Sequence, residues 1–303
     1  VDVGNSARIV TGGDDADGIL AQSIGGGGGT GGFAASIALQ YKGSGNTSNT
    51  MGIAVGGSGG TAGVGDTVTV TNTGVIATTG ARAFGIRAQS IGGGGGIGGA
   101  VIDFRAQGKS ANNSINVNVG GAGGTGEKAG DVAVTNEGLI WTKGEDAAGI
   151  SANSIGGGGG DAGLVLQLAV GATGADKQTH SARVTIGGNG GSGGAGGKVT
   201  VVNRDTGGTN SGDILTEGKG AYGIFAQSLG GGGGNSSTIL ALTGVSSGKD
   251  SVAFGFNFGA VGGSGNIGGV VDVTNAGTIE TKGEGAHGIL AQSIGGGGGN
   301  GGM

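Results

Sequence analysis

An all-β parallel solenoid is the fold that this 303-residue sequence predicts, and three observations predict it. A nine-residue phrase, Ala-Gln-Ser-Ile followed by five glycines, occurs five times, beginning at Ala21, Ala88, Ala152, Ala226 and Ala291, at intervals of 64 to 74 residues. Recurrence of this kind marks a repeat architecture, in which a unit buries its apolar face only against its neighbours. Short runs alternate apolar and polar residues, as in Val68-Thr69-Val70-Thr71 and Ser114-Ile115-Asn116-Val117-Asn118-Val119, and each is bounded by Gly, Asn or Ser. That is the period of a strand. Glycine supplies 87 residues and proline none. So much glycine opposes helix, and strands paired on both sides exclude proline, which lacks the amide donor.

The elements follow in a fixed order. Each repeat opens on the frame V-x-V-T-N-x-G-x-I-x-T-x-G-x-x-A-x-G-I, seen from Val68 to Ile86, from Val132 to Ile150 and from Val271 to Ile289. The copy from Val199 to Ile224 carries an insertion around Arg204 to Ser211, and the chain opens on the same frame with Ala7 at the usual glycine. The Ala-Gln-Ser-Ile-glycine phrase comes next; its third copy reads Ala-Asn-Ser-Ile and its fourth Ala-Gln-Ser-Leu. A V-G-G-x-G-G phrase closes the unit at Val55, Val119, Ile186 and, with Asn266 for one glycine, Val261. The array therefore divides into repeats 1–67, 68–131, 132–198 and 199–270 and a partial repeat 271–303. Since residue 1 is Val and the chain opens inside a repeat, it reads as a piece of a longer protein.

Stacked strands place identical side chains in columns about 4.8 Å apart. Asn5, Asn72, Asn136, Asn203 and Asn275 are expected to form one amide ladder, and Gln22, Gln89, Asn153, Gln227 and Gln292 a second. In the strand from Ile19 to Ile24, Ile19 and Ala21 recur in every copy and mark the inner face, whereas Leu20, Arg87, Ser151, Phe225 and Leu290 mark the outer one. A repeat is longer than an ordinary rung of about 20 to 25 residues, so two wide coils or three narrow ones fit, and the break after the glycine phrase favours two. The recurrent Gly74, Gly138, Gly212 and Gly277 suit a turn that needs positive φ. The five-glycine run is either a flexible turn of fixed length or a set of closely approaching extended, polyproline-II-like chains. Its constant length argues for order.

Between the two glycine phrases lies a variable zone of strand, polar loop and strand. The loops Tyr41 to Asn49, Gly171 to His180 and Ser246 to Asp250 carry the differences between repeats and are where recognition is expected. With aromatics at 3% of the chain, the core must be built from Val, Ile, Leu and Ala. The net charge of −5 is scattered, which provides no basic stripe for nucleic acid and no polybasic membrane patch. No run of about 18 apolar residues spans a bilayer. The absence of cysteine removes disulfides and thiolate metal sites, and suits a chain that crosses a membrane unfolded.

The search for chemistry yields no catalytic, cofactor-binding or metal-binding residues. The glycine phrases lack the recurrent Asp of calcium-binding nonapeptides. His180 is placed in a variable loop and His287 in a column with Asp17, Phe84, Ala148 and Tyr222, so no triad or zinc cluster forms. Asp14, Asp15, Asp17, Glu145, Asp146 and Glu284 gather on the turn before the Gly-Ile strand and read as a solvated acidic turn rather than as paired glycosidase acids. Phe84, Tyr222 and His287 form at most a broken aromatic stripe. The Thr71, Thr135 and Thr274 column, interrupted by Val202, makes a poor ice-ordering face.

The V-T-N-x-G-x-I-x-T-x-G-x-x-A-x-G-I frame running into A-Q-S-I-G-G-G-G-G resembles the glycine-rich repeats of bacterial autotransporter (type V secretion) passenger regions and related large surface proteins, over essentially the whole chain. The resemblance implies a parallel β-helical stalk carried to the outer surface, usually followed by a C-terminal membrane barrel. The expected function is that of a structural or adhesive cell-surface protein, with end-to-end self-association through exposed strand edges and contacts to glycans or to host or abiotic surfaces through the variable loops. A polysaccharide-binding or polysaccharide-cleaving β-helix is the alternative.

Overall fold

A computed structural model describes residues 1–40, 48–107, 112–172, 179–246 and 252–302. These residues form 23 strands in five parallel sheets; each sheet takes one strand from each of the four full repeats in chain order, and three of them add a fifth from the partial repeat. The first repeat supplies β1 (Asp2–Asn5), β2 (Ile9–Thr11), β3 (Ile19–Ile24), β4 (Ala34–Gln40) and β5 (Ser48–Val55). The next strand, β6 (Val68–Asn72), lies directly on β1, with Asp2 opposite Thr69 and Asn5 opposite Asn72. One repeat is therefore one coil. The expectation of two coils is overturned because the two glycine segments do not reverse the chain. Each is a full side of the coil.

Three short sheets, stacked from β1, β2 and β3 and their equivalents, enclose an apolar column. Its inner positions are Val68, Val70, Ile76, Ile86 and Ala88 in the second repeat and Val132, Val134, Ile140, Ile150 and Ala152 in the third, all at most 1% exposed. Ile19 and Ala21 face inward and Leu20 outward, as alternation requires. The asparagine ladder runs unbroken: each Nδ2 donates to the next Oδ1, from Asn5 to Asn72 (2.7 Å), Asn136 (2.8 Å), Asn203 (2.8 Å) and Asn275 (2.7 Å). The same Nδ2 groups donate to a carbonyl beyond the turn, such as Gly74 O and Gly138 O. Among the recurrent glycines of this turn only Gly212 has positive φ (69°). Gly74, Gly138 and Gly277 are glycine for a different reason: a Cβ would meet the carbonyl of the rung before, and one added to Gly138 would lie 1.8 Å from Gly74 O. The left-handed positions lie one turn later, at Asp15, Arg82, Asp146, Gly220 and Gly285.

The glycine segments form a lattice. The outgoing segment leads from β3 to β4 and the returning segment from β5 to the next coil. Within a coil they run antiparallel, with Gly57, Gly60 and Gly63 amides donating to Gly32, Gly29 and Gly26 carbonyls. The next coil's Gly93, Gly96 and Gly99 amides donate to Gly63, Gly60 and Gly57, and Gly28 donates to Gly94 of its own segment type. Every bond recurs at an interval of three residues, the period of a polyproline-II helix, so of the two expected readings the ordered one holds. Two residues of each triplet face neighbouring backbone, and the third faces out. In the third repeat, Cβ atoms on Gly157 and Gly159 would sit 1.9 Å from the Gly93 and Gly191 carbonyl oxygens, whereas Gly158 has 3.9 Å to its nearest neighbour. The outward column continues three residues on with Thr30, Ile97, Asp161, Asn235 and Asn300, where side chains return. Nothing in the structure explains why the outward central glycine is constant.

The invariant serine of the Ala-Gln-Ser-Ile phrase closes the coil. Ser154 Oγ accepts from the Gly197 amide and donates to the Gly130 carbonyl, both at 2.8 Å, joining the third-repeat equivalent of β3 to the ends of two returning segments. Beyond the lattice, β4 leads outward and β5 comes back. The arm so formed reaches about 50 Å from the core, at about 3.1 Å per residue in the glycine segment and about 3.3 Å per residue in the strand. Five rungs stack to only about 20 Å. The described body is wide and short along its axis.

Candidate functional site

The first-repeat carboxylates of the acidic turn bind the rung above. Asp14 Oδ1 accepts the Ala81 amide (2.9 Å), Asp15 forms a two-pronged pair with Arg82 (2.8 Å each) and Asp17 Oδ1 accepts the Phe84 amide (2.9 Å). Each carboxylate caps or neutralises the rung above. The Arg82 guanidinium holds the exposed Asp15 carboxyl below its ordinary value. Burial pushes the Asp17 carboxyl up, against the opposing Phe84 amide and Arg87, which lies 3.1 Å away. Ionised Asp17 thus subtracts from stability. The cost is absent below the ordinary value of 3.8, grows as pH rises toward the folded value and is complete above it. Asp17→Asn is expected to raise the melting temperature slightly at pH 7 and to leave it unchanged at pH 3, as differential scanning fluorimetry would show. Glu284 pairs with Lys219 at 3.8 Å across exposed surface, a contact of little energetic weight.

The aromatic column is broken at Ala148. Tyr222 and His287 stack at 5.3 Å, and Arg87 caps Phe84 at 4.0 Å. The second amide ladder holds at its ends, Gln22 to Gln89 (2.7 Å) and Gln227 to Gln292 (3.0 Å). At the centre, Asn153 is one methylene shorter and turns to Ser151 Oγ on its own strand (2.9 Å). His180 is not in a loop: it lies exposed on the strand Thr179–Ile186. Among the described residues no three His, Asp or Glu gather as metal ligands would. The variable loops expected to recognise partners fall mostly at 41–47, 173–178 and 247–250, outside the described residues.

What the strands of the variable zone build is an arm of unusual polarity. The β4 sheet stacks Ala34–Gln40, Val101–Gln107, Val165–Ala172 and Ile239–Ser246, and the β5 sheet stacks Ser48–Val55, Asn112–Val119, Thr179–Ile186 and Val252–Phe258. At the base, Ala54, Val101 and Val165 close a small apolar cluster. Farther out the space between the sheets is polar. Asp103, 0% exposed, takes Arg105 Nε (3.1 Å) from its own strand and Asn118 Nδ2 (3.1 Å) from the facing sheet. Thr185 donates to Gln167 Oε1 (3.2 Å), and Arg183 reaches Thr243 Oγ1 (2.6 Å). Burial pushes the Arg183 guanidinium down, Asp103 opposing and Arg105 reinforcing the shift.

The outer faces of the same sheets are apolar. On the β5 sheet one column is Met51, Ile115, Ala182 and Phe254, the next is Ile53, Val117, Val184 and Phe256, and the third ends in Ile186 and Phe258. On the β4 sheet the middle column is Ile37, Phe104, Leu168 and Leu242. None of these residues is buried; Ile115, on an inner rung, is 54% exposed. Toward the end of the arm the outward column turns polar on three rungs, with Asn49, Asn113 and His180, and ends in Val252; Asn113 donates to Asn49 (3.1 Å). The sequence shows the alternation Ser-Ile-Asn-Val-Asn-Val but not which side is covered, so it does not predict this inversion.

Compared with protein-family models, with curated proteins and with solved structures, the chain gives no match.

Proposed function

We propose that this chain is a structural segment of an extracellular bacterial surface protein, of the glycine-rich autotransporter-like kind its repeats resemble, and that its coils are rungs of an adhesive or fibre-forming scaffold. The observation that carries this reading is the parallel, in-register pairing of all five sheets through the four full repeats, with the asparagine ladder running on into the partial fifth. Among the described residues no rung breaks the stack, and the insertion around Arg204 to Ser211 adds a shallow concavity beside it. The terminal rungs leave main-chain donors and acceptors directed along the axis, where a further coil or a second chain can continue the ladder.

The coil dimensions refine the idea of a stalk. A repeat of 64 to 74 residues adds only about 4.8 Å of height, so the fold invests in breadth, and its lateral arms are as much the product as its length. Attachment to glycans or to host or abiotic surfaces would fall to the segments joining β4 to β5. Electron microscopy and fibre diffraction of the purified chain are the test. Rods or broad ribbons with a meridional spacing near 4.8 Å are expected; only compact monodisperse particles at high concentration, without that reflection, would refute end-to-end stacking.

A further inference from the structure

We propose that the arms are lateral association surfaces and that the partner of each is the arm of a second copy of this chain. The polarity of the arm is the reverse of a free-standing sandwich: Asp103, Arg105 and Gln167 are inside, while Phe104, Leu168 and Val117 look out. Apolar faces on both sides of a thin arm in water are unfavourable until something covers them.

Area, spacing and rim chemistry identify the occupant. Three outward columns over four rungs make a face of roughly 20 Å by 20 Å, so one pair of faces buries about 800 Å² in total, short of a stable interface. An arm inserted between two others makes two such contacts of about 800 Å² each, so association is weak per face and accumulates through both faces of every arm. A partner whose side chains repeat at the same rung spacing keeps every column in register, as in face-to-face β zippers, and a second copy has that spacing by construction. Toward the arm's end the β5 columns meet Asn49, Asn113 and His180, with Val252 on the last rung; toward the glycine lattice they meet Ser58, Ala122, Asn189 and Val261 and then Thr61, Thr125, Ser192 and Ser264, a rim that is mostly polar. A lipid bilayer fits less well, because it offers no side chains at the rung spacing.

The test uses the whole chain in sedimentation velocity across a concentration series, with Phe104→Thr/Leu168→Thr for one face and Val117→Thr/Val184→Thr for the other. Threonine keeps strand propensity, and circular dichroism checks the fold. Each double variant is expected to weaken association at least tenfold, and the two together to abolish lateral growth while leaving any axial 4.8 Å stacking intact. The chain has no cysteine, so single L168C or V117C variants, on central rungs away from both ends, report arm-to-arm contact as disulfide-linked dimers under mild oxidation. These variants also stand in should the threonine variants fail to fold. A chain that shows no lateral association and no cross-linking overturns the proposal. So does co-flotation with phosphatidylcholine vesicles that the threonine variants lose, which would assign the faces to lipid.

Discussion

Replacing Gly159 by alanine is expected to unfold or severely destabilise the chain, while the same change one residue earlier, at Gly158, leaves it intact. A Cβ on Gly159 would lie 1.9 Å from the Gly191 carbonyl oxygen, with Gly234 N at 2.9 Å. Neither is the movable end of a side chain. The Gly191 amide is itself bonded to Gly160 O and the Gly234 amide to Gly191 O, so relief would require separating two helices of the lattice and breaking their bonds on neighbouring rungs. Overpacking a site that cannot yield costs about 3 kcal/mol or more. Gly157→Ala should behave the same way, since its Cβ would meet Gly93 O at 1.9 Å. Gly158 is exposed, has ordinary space around it and lacks positive φ, so alanine there fits the backbone and narrows the unfolded ensemble, a change of a few tenths of a kcal/mol in either direction. Urea midpoints for the three variants decide the matter. Equal losses at Gly157, Gly158 and Gly159 would mean that the run is not a threefold helix in a lattice.

Asn136→Ala is expected to cost about 3 kcal/mol, and Asn5→Ala less than about 1 kcal/mol. Asn136 is fully buried. It accepts from Asn72 and donates both to Asn203 and to Gly138 O, at 2.8, 2.8 and 2.9 Å. Alanine removes all three bonds and strands the Asn203 Oδ1 and Gly138 carbonyl away from water, where an unmade bond costs more than a made one gains. Asn5 sits on the first rung with an intermediate exposure, and water replaces what its loss removes. Asn136→Asp should be at least as damaging as alanine, because a carboxylate cannot donate to Asn203 and brings an unpaired charge into the column. Thermal or urea denaturation should therefore show a small loss for the Asn5 variant and similar large losses for the Asn72 and Asn136 variants, since Asn72 is equally buried and makes the same three bonds. A flat series would place the ladder outside the energetics of the stack.

Particular residues show why some of this was legible and some was not. The asparagine column could be read because one amide recurs at the same place in every copy and an amide ladder requires nothing but stacking. The inner face of β3 could be read because Ile19 and Ala21 stay constant while Leu20 varies. The second ladder was read one residue too generously: Asn153 is too short to bridge, and Ser151 offers it a nearer partner. A recurrent glycine at Gly138 suggests a turn of positive φ, yet the constraint comes from the Gly74 carbonyl of another coil, 64 residues away. A sequence cannot announce that contact until the coil length is known.

Coil length was itself undetermined, because a run such as Gly156 to Gly160 is compatible with a turn of one size or a side of another. Period-two alternation and exact repetition fixed the strands, their parallel order and the columns in which like residues meet; those are local or copy-to-copy properties, carried by every repeat alone. The three-dimensional structure decided what depends on distant chains packing together: that the glycines form a threefold lattice, that one repeat closes one coil, and that the arm turns its polar side inward. The physical reason is the same in each case. A glycine, or a strand with two unlike faces, has no preference of its own until a neighbouring backbone or a solvent boundary is placed against it.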